Sequence, residues 1–436
     1  MAWLALASAP DAPDAASCPL PEAHAVKLAY LVNTYPQPSH SFIRREVQAL
    51  ERMDWHIHRF ALRSDRARLV DPADIAEDSR TEHIISKGGW QILRSALPFA
   101  ARRPMAALRA LRLAMACGAR GAGGVPGTGG RLRHLIYWLE AAHLAARCHQ
   151  LRLPHIHAHF GTNATTVAML AAEIGGLSFS FTTHGPEEFD APRAHSLAEK
   201  VARATFAVAI SSFGRSQLCR WADVSQWGKL HVVHCGIEPW RFPSPAPMPA
   251  TPPEGPPRLV AIGRMAEQKG FPLLVEAIAL AAPQVPGLHL TLIGDGPLRP
   301  LIEARIARAK LQDRITLTGW LDEAAVRDQL ARAHALILPS FAEGLPLVVM
   351  EAFAAARPVI ASAIMGVPEL VSPETGWLVP AGDAQALAET IKAFAATPRD
   401  RLQSMGLAAR ETVLARHDIT QEAEKLAALF ASGGRP

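Results

Sequence analysis

Short apolar runs, many of them rich in β-branched residues, alternate with helix-like stretches through both halves of the chain. Runs of four to seven residues separated by segments with helical spacing are typical of parallel β-sheets covered by helices. In the first half the predicted strands are residues 27–32, 56–62, 155–159, 179–183, 206–210 and 230–234. In the second half they are residues 259–262, 288–293, 315–318, 335–338 and 358–361. The pattern predicts two α/β units, each a Rossmann-like, doubly wound parallel sheet.

A proline-rich segment separates the two halves. Residues 239–257 contain nine prolines and little that could form a core, which indicates a semi-rigid linker. At 436 residues the chain is also too long for one ordinary core. We therefore predict an N-terminal domain over residues 25–238 and a C-terminal domain over residues 258–410. The flanking predictions are a disordered leader over residues 1–24 and a final helical region over residues 411–436, which could pack on either domain.

The most informative segment lies in the second half, between a predicted strand and a predicted helix. Glu343 stands on the loop after the fourth strand, and Glu351 falls eight positions later inside an apolar helical stretch that starts at Pro346. A carboxylate among apolar neighbours is uncommon unless it has a specific partner. The backbone amides of Gly344 and Leu345 precede the helix and should point at an anion. These groups together suggest a nucleotide-sugar site, with diphosphate on the amides and hydroxyls on the carboxylates.

Two basic residues follow the first strand of the same half. Arg264 and Lys269 lie in a loop that begins at Gly263, at the carboxyl end of the predicted sheet. Fixed cations there can stabilise a diphosphate leaving group in place of a metal ion. Gly294, after the next strand, predicts a second glycine-rich turn near the nucleotide. Neither an Asp-x-Asp pair at a strand end nor a Gly-x-Gly-x-x-Gly motif is found, so we expect no metal ion and no cofactor.

The first half contributes histidines near strand ends. His184 follows a predicted strand and precedes a glycine, so it can reach into a cleft between two facing sheets and bond a sugar hydroxyl. His155, His157 and His159 alternate on one strand and therefore point to the same face. Their spacing of roughly seven ångström is too long for one metal ion. We expect structural or substrate contacts from these three, with His159 alone near the cleft.

Positive charge is concentrated in one segment. The chain has a net charge of +5 and a pI of about 9.1. Residues 83–139 hold nine Lys or Arg and no acidic residue, with apolar residues at helical spacing between them. This predicts a basic helical insertion over about residues 88–135. The insertion is either an ordinary helical element with a solvated basic face or a surface that docks on an anionic membrane.

Bulk composition restricts the class of protein further. An apolar content of 49% and a charged content of 19% are typical of a well-packed globular protein. The sequence has no run of eighteen apolar residues, so no transmembrane helix is expected. The five cysteines show no close pairing, which argues against a zinc ribbon or a redox dithiol and fits a reducing cytoplasm. We expect a cytoplasmic protein, with peripheral binding to the inner membrane face left open, and no nucleic-acid partner.

With these motifs in this order, the chain resembles the family-4 retaining glycosyltransferases, which have the two-domain GT-B architecture with two sheets facing across a cleft. The resemblance covers most of the chain and is most specific at Arg264, Lys269, Glu343 and Glu351. It implies that the cations hold the donor diphosphate and that Glu351 binds the ribose. It also implies that Glu343 and His184 contact the donor sugar. Transfer in that family is metal-independent and proceeds by front-face attack, in which the leaving phosphate helps to deprotonate the acceptor.

The first half is similar to a narrower branch, the bacterial exopolysaccharide enzymes of the colanic acid type. The similarity is carried by residues 30–46, 157–164 and 184–190. Many family members have a glycine-rich loop after the first strand, where this chain has prolines and small polar residues. We expect an acceptor site there, formed by Ser39, His40, Ser41, His159 and Glu188.

The resemblance predicts transfer of a hexose from a UDP- or GDP-sugar to a lipid-linked saccharide in exopolysaccharide biosynthesis. Two alternatives remain open. A GT-B sugar-nucleotide epimerase would need further acid/base carboxylates, for which the candidates are Glu187, Glu188 and Asp190. A non-catalytic sugar-nucleotide-binding subunit of a polysaccharide assembly complex would bind the donor without transferring its sugar.

Overall fold

The structure, a computed structural model, describes residues 27–69, 71–120, 130–249 and 255–434. Its first half forms a seven-stranded parallel sheet with the order β3-β2-β1-β4-β5-β6-β7. The strands are β1 (Lys27–Thr34), β2 (His56–Arg63), β3 (Thr81–His83), β4 (His155–His159), β5 (Ser178–Thr183), β6 (Ala207–Ala209) and β7 (Leu230–Val232). The helices are α1 (Ser41–Arg52), α2 (Pro72–Ser79), α3 (Gly89–Ala101), α4 (Pro104–Arg120), α5 (Arg131–Leu151), α6 (Asn163–Gly175), α7 (Pro186–Asp190), α8 (Leu197–Arg203) and α9 (Ser212–Trp221).

The second half forms a six-stranded parallel sheet with the order β10-β9-β8-β11-β12-β13. The strands are β8 (Arg258–Ile262), β9 (His289–Ile293), β10 (Ile315–Gly319), β11 (Ala335–Leu338), β12 (Val359–Ser362) and β13 (Gly376–Val379). The helices are α10 (Phe271–Ala281), α11 (Arg299–Arg308), α12 (Glu323–Arg332), α13 (Leu347–Ala354), α14 (Val367–Leu370), α15 (Ala384–Ala396), α16 (Arg399–Arg416) and α17 (Ile419–Ser432).

The predicted fold class, two doubly wound parallel sheets, is confirmed. Every strand predicted from the sequence is present, and its ends lie within two residues of the predicted ones. The pattern does not predict β3 and β13, which lie at the outer edges of their sheets. The first is the polar triplet Thr-Glu-His and the second begins with glycine, so neither has the apolar run of a strand buried on both faces.

The last helix, α17, packs on the N-terminal domain. Ile419, Leu426 and Leu429 are buried in one cluster with Leu28 and Tyr30 of β1. The region predicted as residues 411–436 is divided between the end of α16, on the C-terminal domain, and this helix. The chain therefore returns to the domain in which it began.

Two chain segments cross where the domains join. The Ile237 N–H donates to the His417 carbonyl at 2.8 Å, and the Ile419 N–H donates to the Ile237 carbonyl at 3.0 Å. A Cβ atom on Gly236 would stand 2.5 Å from the Cα atom of Ile419, so this crossing requires glycine. In the described part of the proline-rich segment, the buried Arg357 donates to the carbonyls of residues 246 and 247 and ties that segment to the C-terminal domain.

The basic segment folds into α3, α4 and the start of α5. These helices pack against one another, and α5 also packs on α6. Residues 121–129 of the predicted insertion and the predicted leader, residues 1–24, lie outside the described residues. In the parts of the chain that the structure describes, no helix is long and apolar enough to cross a membrane.

Candidate active site

A cavity of about 450 Å³ lies in the cleft between the two domains. It opens at the carboxyl ends of both sheets, where the loops of parallel α/β units gather. The N-terminal wall comes from the loops after β1, β4 and β5, and the C-terminal wall from the loops after β8 and β11 and the start of α13. The predicted site residues that line it are Ser39, His40, Ser41, His184, Glu188, Gly263, Arg264, Lys269, Glu343, Gly344, Leu345 and Glu351.

Lys269 and Glu343 form an ion pair on the C-terminal wall. The Lys269 Nζ atom lies 2.6 Å from Glu343 Oε1, and the Ser340 hydroxyl donates to the same oxygen at 2.6 Å. Lys269 ends a short 3₁₀ turn after β8, and Glu343 follows β11, which is hydrogen-bonded to β8. Adjacent strands thus bring together two residues that are 74 positions apart in the chain.

Gly344 and Leu345, which follow Glu343, line the cavity. Among the described residues, the Gly344 and Leu345 amides donate to no protein acceptor, so both are available to a ligand. The helix begins at Leu347, with Pro346 in the N-cap position one residue before the predicted start. A Cβ atom on Gly344 would stand 1.7 Å from the His184 carbonyl oxygen, so the two walls touch here and only glycine fits.

Arg264 is an exposed cation on the same wall. It has no ion-pair partner among the described residues, in contrast to Lys269 a few positions later. An unpaired guanidinium and two free amides that line the same cavity are groups that suit an anion such as a diphosphate.

Glu351 is bound from the opposite domain. Its Oε1 atom lies 2.9 Å from the Arg45 guanidinium, which α1 of the N-terminal domain supplies. Arg45 also lies 3.3 Å from Glu323 at the start of α12. Although burial opposes its charge, Glu351 and Glu323 raise the pKa of Arg45, so this cation stays charged across the cleft. The second carboxylate oxygen of Glu351 is not part of this contact.

The Arg45 contact belongs to a buried charge network between the domains. Arg44 lies 2.9 Å from Asp74 and 2.8 Å from Glu323, and Arg241 pairs with both Glu323 and Glu238. Burial raises the pKa of Asp74 to about 6, against the opposing effect of Arg44. Sequence reasoning missed these residues. The available signal was the Arg44–Arg45–Glu46 triplet in the first half of a helix that follows the first strand.

The N-terminal wall carries two neutral imidazoles in an aromatic setting. His184 is 8% exposed, and its ring lies 4.7 Å from the rings of Phe42 and Phe160. Burial holds the pKa of His184 well below its usual range and lowers that of His40 to about 4. The Nδ1 atoms of both histidines are buried and have no hydrogen-bond partner among the described residues. Each can therefore accept or donate one further hydrogen bond.

Glu188 supports the histidine loop. Its side chain is completely buried and accepts hydrogen bonds from the backbone amides of Gly161, His184 and Gly185 at 3.0–3.1 Å. Burial raises the pKa of this carboxyl to about 7 despite those amides. Lys200 supports the neighbouring loop after β4, because its Nζ donates to the carbonyls of Gly161 and Thr162. Glu188 thus fixes the backbone around His184 from beneath the cavity surface.

Two predicted site residues lie next to the cavity without lining it. His159 is 0% exposed and contacts His184 from behind, with 2.9 Å between its Nδ1 atom and His184 Nε2. Gly294 packs on the β8 loop, where a Cβ atom would stand 2.0 Å from the Gly263 carbonyl oxygen. His159 therefore supports His184, and Gly294 packs against Gly263, from behind the cavity lining.

Two of the three alternating histidines of β4 pair with hydroxyls of β5, and the third, His159, contacts His184. His155 contacts Ser178 and Ser180, and His157 contacts Ser180 and Thr182, at 2.7–3.0 Å. Tertiary folding adds Glu46, so that ligand atoms of Glu46, His157 and His159 lie within 4.8 Å of one another. Because both ring nitrogens of His157 already have hydroxyl partners, we interpret this cluster as a hydrogen-bond network in the core.

The sequence of the C-terminal domain matches a known family. Residues 256–397 match the profile described as Glycosyl transferases group 1. One relative, "Putative colanic acid biosynthesis glycosyltransferase WcaL" of Escherichia coli, is 33% identical over 202 residues, 44% of this chain and 48% of the relative. The amylovoran biosynthesis glycosyltransferase AmsK of Erwinia amylovora is 34% identical over 167 residues, 37% of this chain and 40% of the relative. The chain thus spans about half or less of the length of these two relatives.

Solved structures show the same architecture over nearly the whole chain. Sucrose-phosphate synthase of Thermosynechococcus elongatus aligns with a TM-score of 0.64 at 21% identity, covering 93% of this chain and 98% of that one. Anabaena Alr3699/HepE in complex with UDP-glucose aligns with a TM-score of 0.67 at 15% identity, covering 93% and 99%. This chain has the GT-B fold, and its residues 256–397 are similar to the family described as Glycosyl transferases group 1.

Proposed function

We propose that this protein is a retaining glycosyltransferase that moves a hexose from a UDP- or GDP-sugar to a lipid-linked saccharide in exopolysaccharide biosynthesis. The observation that carries the proposal is the C-terminal wall of the cleft. There Glu343 and Glu351, each ion-paired with a cation, line the same cavity as the Gly344 and Leu345 amides and the unpaired Arg264. The relatives named for colanic acid and amylovoran biosynthesis support the exopolysaccharide assignment.

In this proposal each group has a role toward the donor. The Gly344 and Leu345 amides and the Arg264 guanidinium bind the diphosphate, and Lys269 stabilises the charge that develops on it as the glycosidic bond breaks. Glu351 keeps one oxygen on Arg45 and accepts from the ribose hydroxyls with the other. Glu343, held by Lys269 and Ser340, faces the sugar ring. These fixed cations neutralise the leaving diphosphate, so the proposed transfer needs no metal ion.

The acceptor enters from the N-terminal wall in this proposal. Ser39, His40 and Ser41 border the cavity opposite the donor groups, and His184 lies where the two walls meet. In a front-face reaction the acceptor hydroxyl attacks from the side on which the diphosphate leaves. A phosphate oxygen takes its proton as the new bond forms.

Exposed helices beside the N-terminal domain support binding to a membrane surface. Arg94, Arg102 and Arg112 are exposed, and none has an ion-pair partner in the described parts of the chain. Met105 and Leu97 lie between them at 67% and 51% exposure. Basic and apolar side chains on one amphipathic surface bind anionic lipid, so we place the protein at the cytoplasmic membrane face. Vesicles with anionic lipid should retain the protein at low salt, and a triple Arg-to-Gln variant at these positions should not be retained.

The donor assignment is tested by nucleotide release from a panel of UDP- and GDP-sugars with lipid-linked acceptors. Lys269→Met should lower the transfer rate by about 10²- to 10³-fold, as expected for loss of a fixed transition-state cation. Glu351→Gln should weaken donor binding by roughly tenfold or more, because a charge-assisted hydrogen bond is lost. The matched controls Lys392→Met and Glu303→Gln remove a half-buried and an exposed charge of the same domain, both outside the cavity lining, and should leave transfer unchanged. Full activity of the two cleft variants would refute the assignment.

The same assay separates the alternatives. An epimerase would turn over a nucleotide sugar without acceptor, yet Glu188, one of its candidate acid/base groups, is committed to three backbone amides. A silent binding subunit would retain nucleotide sugar and release no nucleotide with any acceptor.

A further inference from the structure

A chain of polar side chains leads from His184 into the core of the N-terminal domain. His184 Nε2 lies 2.9 Å from His159 Nδ1, and His159 Nε2 lies 3.3 Å from Glu46 Oε1. The Tyr30 hydroxyl donates to that same Glu46 oxygen at 2.8 Å. The residues come from the ends of β5 and β4, from α1 and from β1, so four separate elements contribute to this chain of side chains.

The contacts in this chain of side chains determine which nitrogens of His159 and His184 carry a proton. One proton lies between His184 Nε2 and His159 Nδ1, because at 2.9 Å one nitrogen must donate and the other accept. If His159 were the donor through Nδ1, its bare Nε2 lone pair would face the Glu46 carboxylate at 3.3 Å. If His184 is the donor, His159 instead carries its proton on Nε2, which makes no hydrogen bond but lies 3.3 Å from that carboxylate, so the contact is an electrostatic attraction. The second arrangement replaces a repulsion between lone pairs with an attraction.

His184 lines the cavity, so the position of its proton matters for a bound ligand. With its proton on Nε2, His184 has a lone pair on Nδ1, and this atom is buried without a partner among the described residues. The flanking Phe42 and Phe160 rings hold the imidazole in place. A buried acceptor without a partner is costly unless a ligand supplies a donor. A sugar hydroxyl has such a donor, whereas a sugar carboxylate has only acceptors.

We propose that Glu46 and His159 are positioning residues that hold His184 as its Nε2–H tautomer, so that Nδ1 accepts a hydrogen bond from a hydroxyl of the bound sugar. The identity of the ligand as a sugar rests on the proposed function, whereas the tautomer does not.

The tautomer is tested on the unmodified protein by ¹⁵N spectroscopy of labelled histidine at neutral pH, with His184 assigned from the signals lost in His184→Asn. The expected spectrum shows His184 protonated at Nε2 and unprotonated at Nδ1. A proton on Nδ1, or a His159 that is protonated on both nitrogens, would overturn the proposal. This arm needs no substrate, so it stands even if no nucleotide sugar proves to be a donor.

Substitutions of Glu46 and His159 test whether the tautomer of His184 affects transfer. Glu46→Gln and His159→Phe should each lower kcat/KM for transfer by about tenfold, the factor that corresponds to one neutral hydrogen bond. Binding of UDP or GDP alone should change less than twofold, because the diphosphate is held by the other domain. His157→Phe is the matched control, since it is on the same strand and face and is equally buried, but does not contact His184 through a hydrogen bond. An equal loss in all three variants would indicate a general packing defect and refute the positioning role.

Discussion

The two walls of the cleft present opposite chemistry to the same cavity. The C-terminal wall is charged, with Arg264 unpaired and Lys269 paired to Glu343. Around His184 the N-terminal wall is neutral and aromatic, with His40 and His184 kept uncharged by burial beside phenylalanine rings, whereas the charged groups of that domain at the cavity, such as Arg45 and Asp74, lie in the ion-pair network that joins the domains. A nucleotide sugar is similarly divided, since its diphosphate is anionic and its sugar carries neutral hydroxyls. One wall can therefore bind charge while the other binds hydroxyl groups.

The walls also differ in how they are held. Cross-strand and interdomain ion pairs position the charged groups, as Arg45 does for Glu351. Backbone and aromatic contacts position the neutral ones, as the buried Glu188 does for the loop that carries His184. We therefore expect substitutions on the charged wall to act mainly on nucleotide binding. Substitutions on the neutral wall should act on the sugar.

Separating the walls should have the largest effect. Gly344→Ala places a Cβ atom where the His184 carbonyl now lies, which forces the two loops apart. A displacement of about 1 Å between reacting groups costs roughly a hundredfold in rate, so we expect at least that loss in transfer. Small-angle scattering should show a more open molecule. Gly228→Ala, where a Cβ atom meets nothing within 4 Å, is the control and should change neither measurement.

Removing the unpaired cation should come next. Arg264→Met is expected to weaken binding of UDP or GDP by about 10- to 100-fold, since charge-assisted hydrogen bonds to the diphosphate are lost. The salt dependence of binding should decrease as well. Titration calorimetry at two ionic strengths measures both quantities. Arg332→Met removes an exposed cation of the same domain and should have no effect. Unchanged nucleotide binding in the Arg264 variant would show that Arg264 does not bind the diphosphate.

A smaller effect is expected where the walls are joined by Arg45. Arg45→Lys keeps the charge but cannot reach Glu351 and Glu323 in the same fork-like geometry. We expect KM for the donor to rise by about tenfold while kcat falls less, because the ribose carboxylate loses its orientation. Arg52→Lys, an exposed substitution on the same helix, is the matched control. If both variants behave alike, Arg45 does not position Glu351.

The smallest effect on activity is predicted for pH. His40 has its pKa lowered to about 4 by burial, so it remains neutral throughout the range from pH 5.5 to 8. The contribution of this residue to kcat/KM should therefore vary less than twofold in that range. A rise or fall of kcat/KM with a midpoint near pH 6.5 that disappears in His40→Asn would show that His40 becomes charged in this range.

The same histidine has a defined effect on stability. Its folded pKa of about 4 lies below the ordinary value of 6.5, so the stabilisation is present above pH 6.5 and is lost as pH falls through 4. The free energy of unfolding should decrease by at most about 3 kcal/mol over that interval from His40 alone. His40→Asn should have a shallower acid limb in denaturant titrations. An unchanged acid limb would contradict the buried, neutral state of the ring.

Local sequence placed the charged wall well. Arg264 and Glu343 each follow a short apolar strand and precede a helix, and this order by itself puts them at the carboxyl end of a sheet. Glu351 was recognisable because a carboxylate in an apolar helix needs a partner. Its partner Arg45 was not, since it lies 306 positions earlier in the other domain. The position of His159 behind His184 also depended on the pairing of β4 with β5.

The sequence by itself determined the two parallel sheets, nearly all of their strands and the residues at their carboxyl ends. Those features depend on hydrophobic periodicity and on glycine and proline within short stretches of chain. Tertiary structure decided which groups meet across the cleft, because ion pairs such as Arg45–Glu351 and the Glu46–His159–His184 line join elements from distant parts of the chain. It also decided their charge and proton positions, since burial and neighbouring dipoles exist only in the folded protein.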